Sequence, residues 1–89
     1  MANIGGFTAL KTADGGIQAI VNQVLPTVNE RTHKNYRGLV SIVYQSQVVN
    51  GINYRVLVRA EPNNYLKLEI GVIAGNDVPG LTRVEEANL

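Results

Sequence analysis

Side chains that could carry out catalysis are few in this sequence and lie far apart. The chain contains no cysteine, which excludes thiol catalysis and cysteine-ligated metal sites. Its one histidine, His33, has no second metal ligand at a suitable spacing and no recognisable nucleophile to activate, and the carboxylates are scattered. We therefore predict that the protein is not an enzyme and uses no metal or cofactor, with His33 on the surface near a helix end.

The five residues 47–51, Gln-Val-Val-Asn-Gly, are more typical of a recognition element. Asn-Gly between β-branched residues predicts a tight hairpin, because both residues tolerate the positive φ that a primed turn requires. Strands are predicted on either side of it, over residues 39–47 and 52–59. Val48 and Val49 would be exposed at the tip unless a partner covers them. An ordinary hairpin with one valine turned into the core would carry the same residues, so this stretch alone leaves both interpretations open.

Hydrophobic periodicity predicts a long helix that precedes this hairpin. Asp14 is a plausible N-cap, and the apolar residues that follow it recur at helical spacing over about five turns. Pro26 removes one backbone hydrogen bond, and we predict a kinked helix that continues through it. Basic residues near the end suit the negative pole of the helix dipole. The apolar stripe consists of Ile17, Ile20, Val21, Val24, Leu25 and Val28.

After Gly38 the hydrophobic period changes from 3.6 to 2, which predicts strands. In the first long strand Val40, Ile42 and Tyr44 are expected to share one face. The predicted fold class is α+β, a single long helix wrapped by an antiparallel β-sheet of four to five strands. It forms one domain over residues 1–89, with residues 1–6 as a flexible N-terminal arm. The remaining predicted segments are a short edge strand at residues 7–10, turns at 61–64 and 74–77, alternating apolar residues at 66–72 and a final strand at 81–89.

Three segments of this chain are expected to meet at one edge. An antiparallel meander alternates its turns between two ends, so the turns at residues 48–51 and 74–77 must lie at the same end. The arm that leads into the first strand can join them there. The result would be a narrow, exposed and partly apolar row of residues, a wedge suited to a cleft.

The pattern Gln47-x-Val49-x-Gly51 is the loop signature of the cystatins, and its surroundings resemble the stefin branch of that superfamily. Residues 46–54 are similar to the stefin hairpin almost throughout. The resemblance runs without a gap from about Gly5 to Gly75. Further matching positions are Gly5-Gly6, Ile17-Gln18, Pro26, Val58-Arg59-Ala60, Tyr65 and Leu66-Lys67-Leu68.

This resemblance implies a reversible competitive inhibitor of papain-like, cathepsin-type cysteine proteases. In that family the arm occupies the unprimed subsites and the two loops fill the primed side of the cleft. Ile4 would enter an apolar pocket, and Gly5-Gly6 would turn the chain away before a carbonyl is aligned for attack by the catalytic thiol. The residues assigned to protease binding are Ile4, Gly5, Gly6, Gln47, Val48, Val49, Asn50, Gly51, Ala74, Gly75 and Asn76.

The sequence also departs from the stefin pattern. Ala74 stands where stefins often carry proline, Asn50 replaces a smaller residue, and the region after Gly75 is shorter than usual. An alternative function is a binding module, natural or engineered, that recognises another protein through the same loops. The intact loop signature together with Gly5 favours the inhibitor, since a repurposed scaffold has little reason to retain both.

Charge and composition limit the kinds of partner and the cellular compartment that we expect for this protein. The formal net charge is +1 with acids and bases mixed, which argues against nucleic acid or an anionic membrane as the main partner. The absence of cysteine and of a signal-peptide-like start predicts a cytoplasmic protein. A monomer is expected. Because two β-branched residues beside a tight turn resist that geometry, a domain-swapped dimer that joins residues 39–47 and 52–59 into one strand is also predicted.

Overall fold

One α-helix packs across a five-stranded antiparallel sheet whose strands neighbour one another in sequence order. The computed structural model describes residues 6–60 and 63–87. The helix lies between the first and second strands in the chain, and the predicted α+β fold class is confirmed. The elements are β1 (Lys11–Thr12), α1 (Gly15–Thr32), β2 (Val40–Val49), β3 (Gly51–Ala60), β4 (Asn64–Ile73) and β5 (Gly80–Ala87).

The ends of α1 follow the sequence signals for capping. Oδ1 of Asp14 accepts a hydrogen bond from the backbone N–H of Ile17 at 3.0 Å, which confirms the predicted N-cap. The helix continues through Pro26. It ends at His33, which adopts the left-handed conformation (φ 58°, ψ 38°) and donates its N–H to the carbonyl of Asn29. His33 is exposed, as predicted.

The core lies between α1 and the inner face of the sheet, which we define as the face that the helix covers. Four residues of the predicted apolar stripe are buried, whereas Ile20 and Leu25 pack at the margin of the core. The residues buried in this core are Ile17, Val21, Val24, Val28, Leu39, Val56, Val58, Ala60, Leu66, Leu68, Ile70 and Leu81.

The predicted alternation in β2 is wrong at its beginning because the strand contains a β-bulge. Ser41 pairs with Val58 and Val43 with Leu57, so Ile42 is the extra residue between them. The bulge places Val40 on the outer face, where it is 51% exposed, rather than on the inner face with Tyr44. Tyr44 thus faces α1 as predicted, whereas Ser41 takes the inner-face position that strict alternation gives to Val40.

A single glutamine of α1 supplies hydrogen bonds to the backbone at this bulge. Gln18 donates through Nε2 to the carbonyl of Leu39 at 2.7 Å. Its Oε1 accepts from the N–H of Ser41 at 2.9 Å and from the hydroxyl of Ser41 at 2.8 Å. The helix side chain thus satisfies polar groups that the irregular strand leaves without a ladder partner.

The predicted edge strand at residues 7–10 is not formed; the strand β1 begins at Lys11 instead. Residues 7–10, which we call the stem, lie along β2 with a second bulge. Thr8 is hydrogen-bonded to Ser46, and Lys11 pairs with Tyr44. Between these two pairs the stem contains two residues, Ala9 and Leu10, whereas β2 contains only Gln45. The extra residue interrupts the ladder over the predicted segment.

Other parts of the prediction hold within one or two residues. The final strand spans Gly80–Ala87. Of the predicted turn at residues 61–64, Asn64 already belongs to β4, and Glu61 and Pro62 lie outside the described residues. Across the described ranges, no helix has the length and apolar character needed to cross a membrane.

Candidate functional site

The first hairpin closes over a single residue. Pairing of β2 with β3 continues to Val49 and Gly51, which leaves Asn50 alone at the tip. Gly51 has a positive φ of 120°, whereas Asn50 is not among the residues with positive φ. The predicted two-residue Asn-Gly primed turn is therefore wrong, although the hairpin itself is present.

Apolar side chains cover both faces of the sheet at this tip. Val48 is 69% exposed and Val49 is 44% exposed. Directly opposite residues share a face, so Val49, Gly51 and Ile73 form one row on the outer face, which is the face away from α1. Ile73 is 61% exposed, and Gly51 separates it from Val49 without adding a side chain between them. The edge thus offers exposed apolar groups held on paired strands.

Gly51 also brings the two loops into contact. A Cβ atom built on Gly51 would overlap the carbonyl oxygen of Val72 and lie 2.9 Å from the backbone nitrogen of Ala74. The N–H of Ala74 donates to the carbonyl of Asn50 at an N···O distance of 3.4 Å. A proline at residue 74 would lack this donor. The structure therefore places residues 48–51 and 74–77 at the same end of the sheet, as the meander argument predicts.

The second loop is a defined turn. The N–H of Asn76 donates to the carbonyl of Ile73 at 2.9 Å, and Gly75 has a φ of 83°. A positive φ at the third of four residues is characteristic of a type II turn, which favours glycine there. The side-chain oxygen Oδ1 of Asn76 then accepts from the N–H of Val78 at 3.0 Å. Gly75 and Asn76 thus stabilise the conformation of the turn, and Ala74 occupies its second position.

Gln47 is the one polar side chain of the loop signature, and it is fixed across the hairpin. Nδ2 of Asn53 donates to Oε1 of Gln47 at 3.0 Å. Both residues lie on the outer face, directly opposite each other in β2 and β3. This bond limits the rotamers of Gln47 before any partner is bound, so less side-chain entropy is lost on contact.

The stem runs toward this same end of the sheet. The N–H of Thr8 donates to the carbonyl of Ser46 at 2.9 Å, and the N–H of Ser46 donates to Oγ1 of Thr8 at 3.1 Å. Because the stem is antiparallel to β2, Gly6 lies on the side of Thr8 nearer the tip, and it is exposed. Two of the residues assigned to protease binding, Ile4 and Gly5, lie outside the described residues.

Two tyrosines face α1 near the middle of the hairpin, and one has a perturbed pKa. The ring centroids of Tyr44 and Tyr54 are 6.3 Å apart with the planes tilted by 55°. Burial raises the pKa of Tyr54 above its usual value of 10.0, and the nearby Tyr44 and Asp14 raise that pKa further. Over the described ranges, no group of three or more acidic, histidine or cysteine side chains is placed to hold a metal ion.

Sequence reasoning missed three residues that shape this edge. Ile73 was assigned neither to the predicted strand segment at residues 66–72 nor to the loop, although its position directly before Ala74 was a usable signal. Asn53 and Thr8 had no such signal, because their contacts depend on strand register and on the stem bulge. These contacts connect residues that only the folded sheet brings together.

Comparison with known proteins identifies the family. Residues 5–79 match the Cystatin domain. Over 66 residues the chain is 41% identical to leukocyte cysteine proteinase inhibitor 1 of Sus scrofa, a match that covers 74% of this chain and 64% of that protein. It is also 41% identical over 66 residues to cystatin-A of Homo sapiens, covering 74% and 67%. Stefin-C of Bos taurus is 31% identical over 68 residues, covering 76% and 67%.

The chain belongs to the cystatin family, and within it to the type 1 or stefin branch. The matched region spans about two thirds of the length of these relatives, with 64% for the pig protein. Membership of this family confirms the prediction that the chain is not an enzyme.

Proposed function

We propose that the protein is a reversible competitive inhibitor of papain-like cysteine proteases, including those of the cathepsin type. The observation that carries the proposal is the exposed apolar edge formed where the two loops meet through the hydrogen bond from Ala74 to Asn50. Val48, Val49 and Ile73 are exposed there on paired strands rather than on loose chain. Such an edge has the width of two or three strands, about 10 Å, which suits insertion into a protease cleft. A relative in Sus scrofa carries the name cysteine proteinase inhibitor.

The arm is proposed to occupy the unprimed side of the cleft. The five residues before Gly6 can span at most about 17 Å when extended. Asn50 lies four positions beyond Ser46, about 13 Å along the strand, so the arm is long enough to reach the tip. Ile4 would fill an apolar subsite, and Gly5 would lie beside the catalytic thiol.

Inhibition without cleavage follows from the glycines of the arm. A protease attacks only when a peptide carbonyl sits about 3–3.5 Å from its nucleophile in the correct orientation. Gly5-Gly6 can adopt positive φ and turn the chain away before that alignment occurs. The lack of cysteine in the chain supports action in a reducing compartment, the cytoplasm, where both the inhibitor and a thiol protease remain active.

A titration of papain and of a cathepsin-type protease under reducing conditions tests the proposal. We expect competitive inhibition, recovery of the intact inhibitor and loss of about tenfold in affinity for Val49→Ser. Val40→Ser is the matched control, because Val40 is similarly exposed on the same face at the other end of β2. Full protease activity at micromolar protein would contradict inhibition and favour a binding module with another partner. Equal losses of affinity in Val49→Ser and Val40→Ser would show that the protease does not bind at the tip of the hairpin.

A further inference from the structure

The stem is held against the sheet by a cation–π contact that the loop signature does not include. The guanidinium carbon of Arg55 lies 3.9 Å from the centroid of the Phe7 ring. This distance is well inside the range of about 6 Å in which a cation is attracted to an aromatic face. Arg55 belongs to β3 and projects from the outer face, so the ring of Phe7 is drawn onto that face.

Glu69 orients the arginine for this contact. Its Oε2 lies 3.6 Å from Nε of Arg55, and the two residues are directly opposite in β3 and β4. The pair is partly exposed and contributes little stability by itself. Its consequence is geometric, because the carboxylate engages one edge of the planar guanidinium and leaves the flat face to Phe7.

Hydrogen bonds fix the adjacent stem backbone in a second direction. Thr8 exchanges two bonds with Ser46 along the edge of β2, as described above. In addition, Nε2 of Gln45 donates to the carbonyl of Thr8 at 2.9 Å. The hydrogen bonds restrain the stem along the sheet edge, while the stack on Arg55 restrains it perpendicular to the sheet. The arm, residues 1–6, is therefore joined to a base that is restrained both along the sheet edge and perpendicular to the sheet.

We propose that Arg55 is a positioning residue for the arm, and that its contact with Phe7 aims residues 1–6 at the protease cleft. This inference rests on the proposed inhibitory function. An arm whose base is fixed loses less conformational freedom on binding, so the bound complex is more stable. Arg55 lies on the third strand, four residues after Gly51, and acts through Phe7 rather than by touching the protease.

Dissociation rates from papain test this role through a double-mutant cycle with the arm. In the full chain we expect Arg55→Ala to raise the dissociation rate about two- to fivefold, the factor that an exposed cation–π contact provides. In a protein that lacks residues 1–5 the same substitution is expected to have no effect. Arg55→Lys should restore most of the full-chain rate, since it keeps a cation near the ring.

Two further variants separate positioning from other effects. Phe7→Leu keeps an apolar side chain and removes the aromatic face, so it should match Arg55→Ala. Arg83→Ala is the matched control, because Arg83 lies on the same face of the sheet and forms its ion pair with Glu85. Equal effects of Arg55→Ala with and without the arm would overturn the proposal and indicate direct contact with the protease. An unchanged rate in the full chain would overturn it as well.

Amide hydrogen exchange tests the contact without a protease. We expect Arg55→Ala to speed exchange at the N–H of Thr8, and to leave exchange unchanged at Ala13, whose N–H bonds Ile42 on the same edge. If the wild-type protein inhibits no protease, the proposed function fails, and exchange alone decides whether Arg55 fixes the stem. If the protein inhibits and Thr8 exchange is unchanged in the variant, the positioning role is wrong.

Discussion

Gly51 of the first loop and Val72 of the neighbouring strand approach so closely that residue 51 has no room for a side chain. A Cβ there would overlap the carbonyl oxygen of Val72, and the φ of 120° at Gly51 is itself unfavourable for other residues. Together with the hydrogen bond from Ala74 to Asn50, this close approach joins the two loops at one edge. The glycine of the loop signature is therefore explained by packing within the protein, independently of any partner.

We expect Gly51→Ala to destabilise the protein by about 1–3 kcal/mol, because the backbone at β4 must shift and a strained φ must be kept. The chemical shifts of the amides of Ala74 and Gly75 should change in this variant, because the backbone next to them must shift. Gly38→Ala is the control, since a Cβ at Gly38 meets nothing within 4 Å and its φ is not positive. Urea unfolding of both variants measures the difference. Identical urea midpoints and m-values for Gly51→Ala and Gly38→Ala would show that the backbone accommodates a Cβ at residue 51 without loss of stability.

His33 should be replaceable by glycine with a gain in stability. Its left-handed conformation costs a non-glycine residue about 1–2 kcal/mol, and the added chain entropy of glycine offsets about 0.5–1 kcal/mol of that. We expect His33→Gly to raise the free energy of unfolding by about 0.5–1 kcal/mol, with protease binding unchanged. Lys34→Gly, one residue further along, lacks the positive φ and should destabilise instead. A loss of stability in both variants would contradict the explanation.

The elements of this fold were predictable where local patterns encode them. The helix, its cap at Asp14 and the strands around the hairpin follow from spacing and propensity alone. The bulge at Ile42 was not predictable, because it depends on a glutamine more than twenty residues away. The same applies to the stem, because its contacts with Arg55 and Ser46 join residues that are far apart in the sequence. For the candidate site, the two loops were predicted, whereas the side chains that hold Gln47 and the stem required the folded register.

Alkaline pH should weaken folding through Tyr54. Its pKa is raised in the folded state, mainly by burial, so the unfolded chain loses this proton first as the pH rises. The stabilising effect is fully present below pH 10.0 and is lost as the pH rises through the folded-state pKa. We expect Tyr54→Phe to flatten the fall of stability above pH 10, as measured by urea unfolding at several pH values. Tyr44→Phe should flatten this fall of stability less, since Tyr44 raises the pKa of Tyr54 less than burial does. An unchanged slope in Tyr54→Phe would contradict this assignment.

The one-residue tip predicts how a swapped dimer would form. If the chain opened at Asn50, β2 and β3 would run on as one strand and exchange with a second copy. Val49 is β-branched and favours the extended backbone that the opened form needs. We expect slow dimer formation on mild heating, no protease inhibition by the dimer, and less dimer from Val49→Gly.

Size-exclusion chromatography with papain assays on each peak measures both effects. Val40→Gly is the control for glycine in the same strand away from the tip, and should form as much dimer as the wild type. A dimer that inhibits fully would show that the copies associate through another surface.

Gln18 has a consequence for folding fidelity. It recognises Leu39 and Ser41 at the bulge, and a slip of β2 by one residue would present the apolar Ile42 in place of Ser41. The polar groups then left unpaired would each cost about 1–3 kcal/mol. A hairpin in the shifted register is therefore less stable than the native one, so Gln18 helps to fix the register of the strand that ends in Val49.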